Sequence, residues 1–191
     1  MTRRWEAVVI GCSAGGLEVL RQILPGLPPD FPLPVIVVSH IAPDAGGLLA
    51  ELLARYCPLP VFEAEEKAAV TAPAIHIAPP GYHLLIEKDR TFALSIDGKV
   101  RNVRPAIDVL FESAADAYAG RLIGILLTGA NDDGARGLGV IKAAGGQTVA
   151  QTPETAMADT MPRSAITAGV VDHVLAPPAI LDLLLTLTEG V

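Results

Sequence analysis

The feature that most constrains this chain is a series of apolar runs without polar alternation. They are Ala7–Gly11, Val35–Ser39, Ile75–Ala78, Leu122–Leu127 and Thr148–Ala150, with Val170–Val174 a weaker case. A strand with one solvated face alternates apolar and polar residues. One covered on both faces reads as a continuous apolar stretch, the signature of a parallel sheet. Helical patterns lie between the runs, at Leu17–Leu24, Ala45–Arg55, Ala106–Tyr118, Ala135–Ala144 and Ala179–Leu187. Strand, crossover helix, strand is the βαβ unit. The pattern therefore predicts an α/β fold with a doubly wound, mostly parallel sheet and helices on both faces. One segment departs from it. Tyr82–Glu87 and Thr91–Ile96 flank the polar Lys88-Asp89-Arg90 and read as an inserted antiparallel β-hairpin. Gly98–Arg104 is polar and basic for its length, and the prolines at Pro25–Pro34, Pro79-Pro80 and Pro177-Pro178 read as loops.

Composition narrows the function classes. With 191 residues, 51% hydrophobic and 18% charged, the chain suits one domain with a sizeable core rather than a disordered segment. The net charge is −7 and the basic residues are scattered, apart from Arg3-Arg4, so no nucleic-acid partner is expected. Cys12 and Cys57 have neither zinc-site spacing nor the density of a disulfide scaffold, and read as reduced thiols of a cytoplasmic protein. No uninterrupted apolar stretch reaches the roughly 18 residues of a membrane span.

In a doubly wound sheet, ligands sit outside the carboxyl ends of the strands. Three polar constellations follow strands here. Gly11-Cys12-Ser13-Ala14-Gly15 fits G-x-S-x-G, in which a strand-to-helix turn exposes a nucleophilic serine. The same glycine turn also suits a phosphate cradle or a plain structural turn, although it has neither the Walker lysine nor G-x-G-x-x-G spacing. From the turn alone these readings stay open. His40 follows the Val35–Ser39 run, where a general base belongs, although a lone histidine at a strand end is also a common core residue. Of the other histidines, His76 and His173 read as structural, and His83, opening the hairpin, is ambiguous. Asp132 and Asp133 follow the fourth run. One of them suits an N-cap for the helix from Ala135, which leaves the other free to orient an imidazole. Adjacent carboxylates are too close to flank a sugar ring as a glycosidase pair. The order Ser, His, Asp differs from the usual order of the hydrolase elbow fold, but triads are defined by geometry rather than by order.

Six blocks, in order, carry a family resemblance: VIGCSAGG, SHIAPD, IHIAPPGYHLLIE, RPAIDVLFESAA, GILLTGANDDGARGL and AQTPETAMADTMPRSAITAGVVDHV. Over nearly its whole length the chain resembles the catalytic domain of the CheB-type chemotaxis protein-glutamate methylesterase. The resemblance implies Ser13 as nucleophile, His40 as base, Asp133 as the orienting carboxylate and the backbone amide of Ala130 as oxyanion donor, with Asp132 as a cap or surface residue. It implies hydrolysis of glutamyl methyl esters on chemoreceptor cytoplasmic helices, with receptor glutamine as a side substrate, and neither metal nor cofactor. Arg104, Arg136 and Arg163 lie in matching blocks and are candidates to receive acidic neighbours of the target glutamate, ordinary surface charge being the alternative. Asn131 stands where the family usually has Gly, and Asn best tolerates the left-handed backbone expected there. Ala130 stands where Met is frequent, and Ala14 where Thr is frequent. His83 matches a hairpin histidine outside the family triad. The phosphoacceptor receiver domain usual in the family is not among the blocks. The expectation is therefore a single stand-alone domain over residues 1–191, with a receiver domain or a methyltransferase as a partner in trans. The rival class is a chemotaxis-like binding module with little turnover.

Overall fold

The computed structural model describes residues 5–40 and 47–188. Strands β1 (Ala7–Cys12), β2 (Val35–Ser39), β3 (Val61–Glu63), β4 (Ile75–Ile77), β7 (Leu122–Leu126), β8 (Gln147–Gln151) and β9 (His173–Leu175) form one sheet. Its order is β3-β4-β2-β1-β7-β8-β9, and every pairing is parallel. Strands β5 (His83–Ile86) and β6 (Phe92–Ser95) make the expected antiparallel hairpin, with His83 opposite Ser95.

Alternate residues of β1 feed two cores. Val8, Ile10 and Cys12 face one, and Ala7 and Val9 the other. The first core is closed by α1 (Gly16–Ile23), α2 (Leu48–Ala54) and α6 (Pro177–Thr188), through residues such as Leu20, Leu53 and Ile180. The second is closed by α3 (Ile107–Tyr118), α4 (Ala135–Ala143), α5 (Thr160–Thr167) and the hairpin, through Phe111, Ile141, Met161 and Phe92. Covering on both faces explains the unalternating runs. A fully buried aliphatic side chain of this kind contributes about 1.5–3 kcal/mol.

Three features differ from expectation. The short β3 and the helix α5 were not foreseen. Pro177 and Pro178 do not mark a loop but open α6. In a first turn a missing N–H has no intrahelical partner to lose, so proline is tolerated there. The helix expected from Ala45 is described from Leu48. Ala45 and Gly46, the Ile41–Asp44 part of the second matching block, and Arg3-Arg4 lie outside the described residues.

Strand order places the topological switch at the centre. From β1 the chain passes to β2, out to β3 at the edge and back to β4 between them, then crosses to β7 on the other side of β1. The crevice outside the carboxyl ends of β1, β2 and β7 is where this fold class binds ligands.

Candidate active site

Ser13 leaves β1 at its carboxyl end. Its N–H donates to Thr128 O at 2.9 Å, tying it to the end of β7, and Gly16 N–H donates to Ser13 O at 2.7 Å to close the turn. Gly15 has φ +79°, and a Cβ there would lie 2.6 Å from Met157 Cβ, so glycine is required on two counts. Helix α1 starts at the next residue. This strand–turn–helix sequence is the context that lifts a serine clear of the sheet. Thr128, itself buried, fixes the turn further. Its Oγ1 accepts from Ala158 N–H at 3.0 Å and lies 2.8 Å from Ala14 O. The neighbouring Cys12 is not a rival nucleophile. Burial pushes its thiol up to about 11, against a lowering hydrogen bond with Ser39, and it packs in the core.

His40 emerges beside it. Its backbone N–H donates to Cys12 O at 3.2 Å, and it shares with Ser13 a cavity of about 400 Å³ whose other walls include Leu17, Leu48 and Leu49. Nε2 lies 2.7 Å from Asp133 Oδ2, with the two side chains 9% and 0% exposed. An ionised carboxylate only accepts, so Nε2 carries the proton, and Nδ1, which has no partner among the described residues, is the basic nitrogen.

Asp133 is held from the other side by a helix terminus. Ile107 N–H donates to Oδ2 at 2.7 Å and Asp108 N–H to Oδ1 at 3.0 Å. Burial alone raises the carboxyl. The hydrogen bond from His40 and those from the α3 amides outweigh it and hold Asp133 below its ordinary value. It is therefore a carboxylate at neutral pH despite complete burial.

Neither aspartate of the Asp132-Asp133 pair caps α4 with its side chain. Asp108 does, from α3: its Oδ1 accepts from Gly134 N–H at 3.0 Å and Gly137 N–H at 2.8 Å. Asp132 is exposed and pairs with Arg101. Asn131 does not take up the expected left-handed backbone, because its φ is not positive. Its Oδ1 instead accepts from Asp133 N–H at 3.1 Å, an Asx turn that does locally what a glycine would permit. Beside it, Gly129 N–H donates to Ala158 O, while the exposed Ala130 N–H has no acceptor among the described residues.

His76 and His83 are both buried. Nε2 of His76 donates to Thr71 O at 3.0 Å, and burial lowers its pKa. His83 has both nitrogens engaged. Nε2–H donates to Gly98 O at 3.1 Å, and Nδ1 accepts from Ala106 N–H at 3.2 Å, one residue before α3. It thus links the hairpin to the helix terminus that grips Asp133. His173 lies exposed on the edge strand β9. The candidate arginines separate. Arg136 pairs with Glu112 at 2.7 Å and approaches Asp108 at 3.7 Å. Arg163 pairs with Asp159 at 2.6 Å and Glu154 at 3.6 Å, on a different cavity that Asp132 also lines. Arg104 alone of the three lines a cavity with His40. Sequence reasoning missed Asp108, Thr128 and His83 as supports. The signal for Asp108 was an acidic residue at the start of a helix whose own N-cap is Ala106. Among the described residues no group of three or more His, Cys, Asp or Glu is arranged to hold a metal ion, and no helix is long and apolar enough to cross a membrane.

These features agree with what the chain is similar to. The family model described as CheB methylesterase matches residues 8–184. A Leptospira interrogans serovar copenhageni protein is 48% identical over 97% of this chain and 96% of its own length. A Symbiobacterium thermophilum protein named protein-glutamate methylesterase/protein-glutamine glutaminase is 40% identical over 92% of this chain, which spans 48% of that relative. The crystal structure of the Thermotoga maritima CheB methylesterase catalytic domain superposes with a TM-score of 0.93 at 37% identity, covering 96% of this chain and 98% of that one. The chain belongs to the CheB methylesterase family.

Proposed function

We propose that this chain is a serine esterase that hydrolyses glutamyl methyl esters on chemoreceptor-type proteins, with the side-chain amide of receptor glutamine as a second substrate of the same chemistry. The observation that carries the reading is the His40–Asp133 couple at 2.7 Å, its carboxylate fully buried, with Ser13 and His40 lining the same cavity.

Ser13 Oγ attacks the ester carbonyl while its proton passes to His40 Nδ1. Asp133 fixes the tautomer through Nε2 and stabilises the imidazolium. The unpaired N–H of Ala130 is the oxyanion donor, a kind of group whose loss typically costs about 10²–10³ in rate. Collapse of the tetrahedral intermediate breaks the bond to the methoxy oxygen, which takes the proton from His40 and leaves as methanol. Water then attacks the acyl-enzyme, His40 accepting its proton, and the intermediate releases the glutamate carboxylate and returns the proton to Ser13. With glutamine the leaving group is ammonia. The reading puts the protein in the cytoplasm, and the free thiols of Cys12 and Cys57 fit a reducing compartment.

The test is methanol release from a methylated chemoreceptor signalling fragment. Wild type releases methanol, and Ser13→Ala lowers the rate by about 10³-fold or more. Wild-type rates from Ser13→Ala would overturn the assignment.

A further inference from the structure

A second cavity lies against His40, away from Ser13. It holds about 150 Å³ and is lined by His40, Gly81, Lys99, Asn102, Arg104 and Pro105. Among the described residues, Lys99 and Arg104 are the only Lys or Arg on it. In this acidic chain most cations are neutralised. Among the described residues only Arg55, Lys88, Lys99 and Arg104 have no carboxylate within 4.0 Å, and two of those four meet here.

The backbone brings them together at some cost. Val100 and Val103 exchange N–H···O bonds of 3.1 and 3.0 Å around a two-residue turn. Arg101 and Asn102 at its tip have φ +50° and +64°. Left-handed backbone is unfavourable for a side chain such as that of Arg101, whereas asparagine tolerates it. One residue outward on either side of this bridge stand Lys99 and Arg104. Arg104 is then fixed in one orientation. Its Nη1 donates to Ile96 O at 2.7 Å and Asp97 O at 2.9 Å. Its Nε is buried without an acceptor. Two backbone carbonyls thus hold one end of the guanidinium, and the Nε–Nη2 edge has no partner among the described residues. Nε is enclosed, so Nη2 is the nitrogen left to donate to a carboxylate oxygen in the cavity.

We infer that this cavity is an anion subsite for a second carboxylate of the protein substrate, an acidic side chain flanking the glutamyl ester. The inference rests on the esterase reading for its substrate class. The reacting ester is neutral and belongs at Ser13, so the cations beside His40 serve a different group of the same substrate. The carboxylate accepts from Arg104 Nη2, with Lys99 as the second cation of the cavity, and sets the register of the polypeptide across the His40 side of the crevice.

The experiment uses the full chain and the methylated receptor fragment in two forms, native and with its flanking glutamates changed to glutamine. Lys99→Gln and Arg104→Gln each lower kcat/KM on the native fragment by about tenfold, mainly through KM. The loss is much larger than on a small neutral acetyl ester. Neutralising the flanking glutamates reproduces the loss, and the two changes do not add. Lys88→Gln, an exposed unpaired cation away from the cavity, is the control. Because Arg104 also holds Ile96 and Asp97, Lys99→Gln carries the test if Arg104→Gln fails to fold. Equilibrium binding of both fragments in a Ser13→Ala background reads the subsite independently of turnover. Wild-type KM and wild-type binding from Lys99→Gln and folded Arg104→Gln would overturn the subsite. Failure of wild type to release methanol, with charge-dependent binding intact, would overturn the esterase reading and leave the subsite standing.

Discussion

Asp133 is a carboxylate in a place where burial favours the neutral acid, and both of its oxygens are committed. Oδ1 accepts from Asp108 N–H, and Oδ2 from Ile107 N–H and the His40 ring. An asparagine here turns an NH₂ toward one of those donors and leaves a buried amide unsatisfied. Asp133→Asn therefore destabilises by about 1–3 kcal/mol. It also removes the charge that supports the imidazolium, and turnover falls by about 10³-fold or more while substrate binding persists. The pH dependence has a definite sign. The folded carboxyl lies below its unfolded value of about 4, so its stabilisation is complete above that pH and is lost as pH falls through the lower folded value. Urea midpoints of wild type and Asp133→Asn should differ most near neutrality and converge below about pH 4. A gap of constant size would mean that the charge contributes nothing to the fold.

At the next scale, two helices hold each other's ends. Asp133, one residue before the N-cap of α4, occupies the N-terminus of α3, and Asp108, in the first turn of α3, occupies the N-terminus of α4. Gly137 lets the helices approach, since a Cβ there would lie 2.6 Å from Phe111 Cβ and 3.2 Å from Asp108 Cα. Each negative charge meets the positive end of the partner helix. Burial raises the Asp108 carboxyl and the nearby Asp133 charge adds to that, while the Gly137 amide, Arg136 and Arg101 oppose them. Asp108 is thus a positioning residue for Asp133. Asp108→Ala should lower kcat with KM nearly unchanged, and Asp108→Asn, which keeps an oxygen for Gly134 and Gly137, should restore part of it. A purely structural role would cost stability but leave kcat normal in the folded fraction. This exchange was illegible in the sequence for a physical reason. An aspartate before a helix reads as that helix's own cap, and a cap supplied by another helix leaves no local pattern. Helix α5 escaped similarly, because Thr160 and Pro162 obscure its periodicity although proline in a first turn does no harm. Strand β3 is three residues long and partly exposed, so it carries no buried run.

For the whole molecule, the apolar runs were enough to predict a parallel sheet, and the rule that ligands bind at strand ends was enough to group Ser13, His40 and the Asp132-Asp133 pair, residues that lie far apart in the chain; the choice of Asp133 came from the family resemblance. What those runs do not encode is the surface field. The chain has a net charge of −7, and its proposed substrate is acidic. At long range the two repel. At the subsite Lys99 and Arg104 attract. Salt weakens both terms, with a screening length of about 10 Å at 0.1 M, so in wild type they offset each other as ionic strength rises. The doubly substituted Lys99→Gln/Arg104→Gln chain keeps only the repulsion and is two positive charges poorer. Its kcat/KM on the receptor fragment should therefore climb more steeply with salt than that of wild type, and the two should converge at high ionic strength. Stopped-time methanol assays across a salt series measure both slopes. Parallel slopes would mean that the two cations do not act on substrate charge, and the acidic chain would then have to recognise its acidic substrate through uncharged contacts alone.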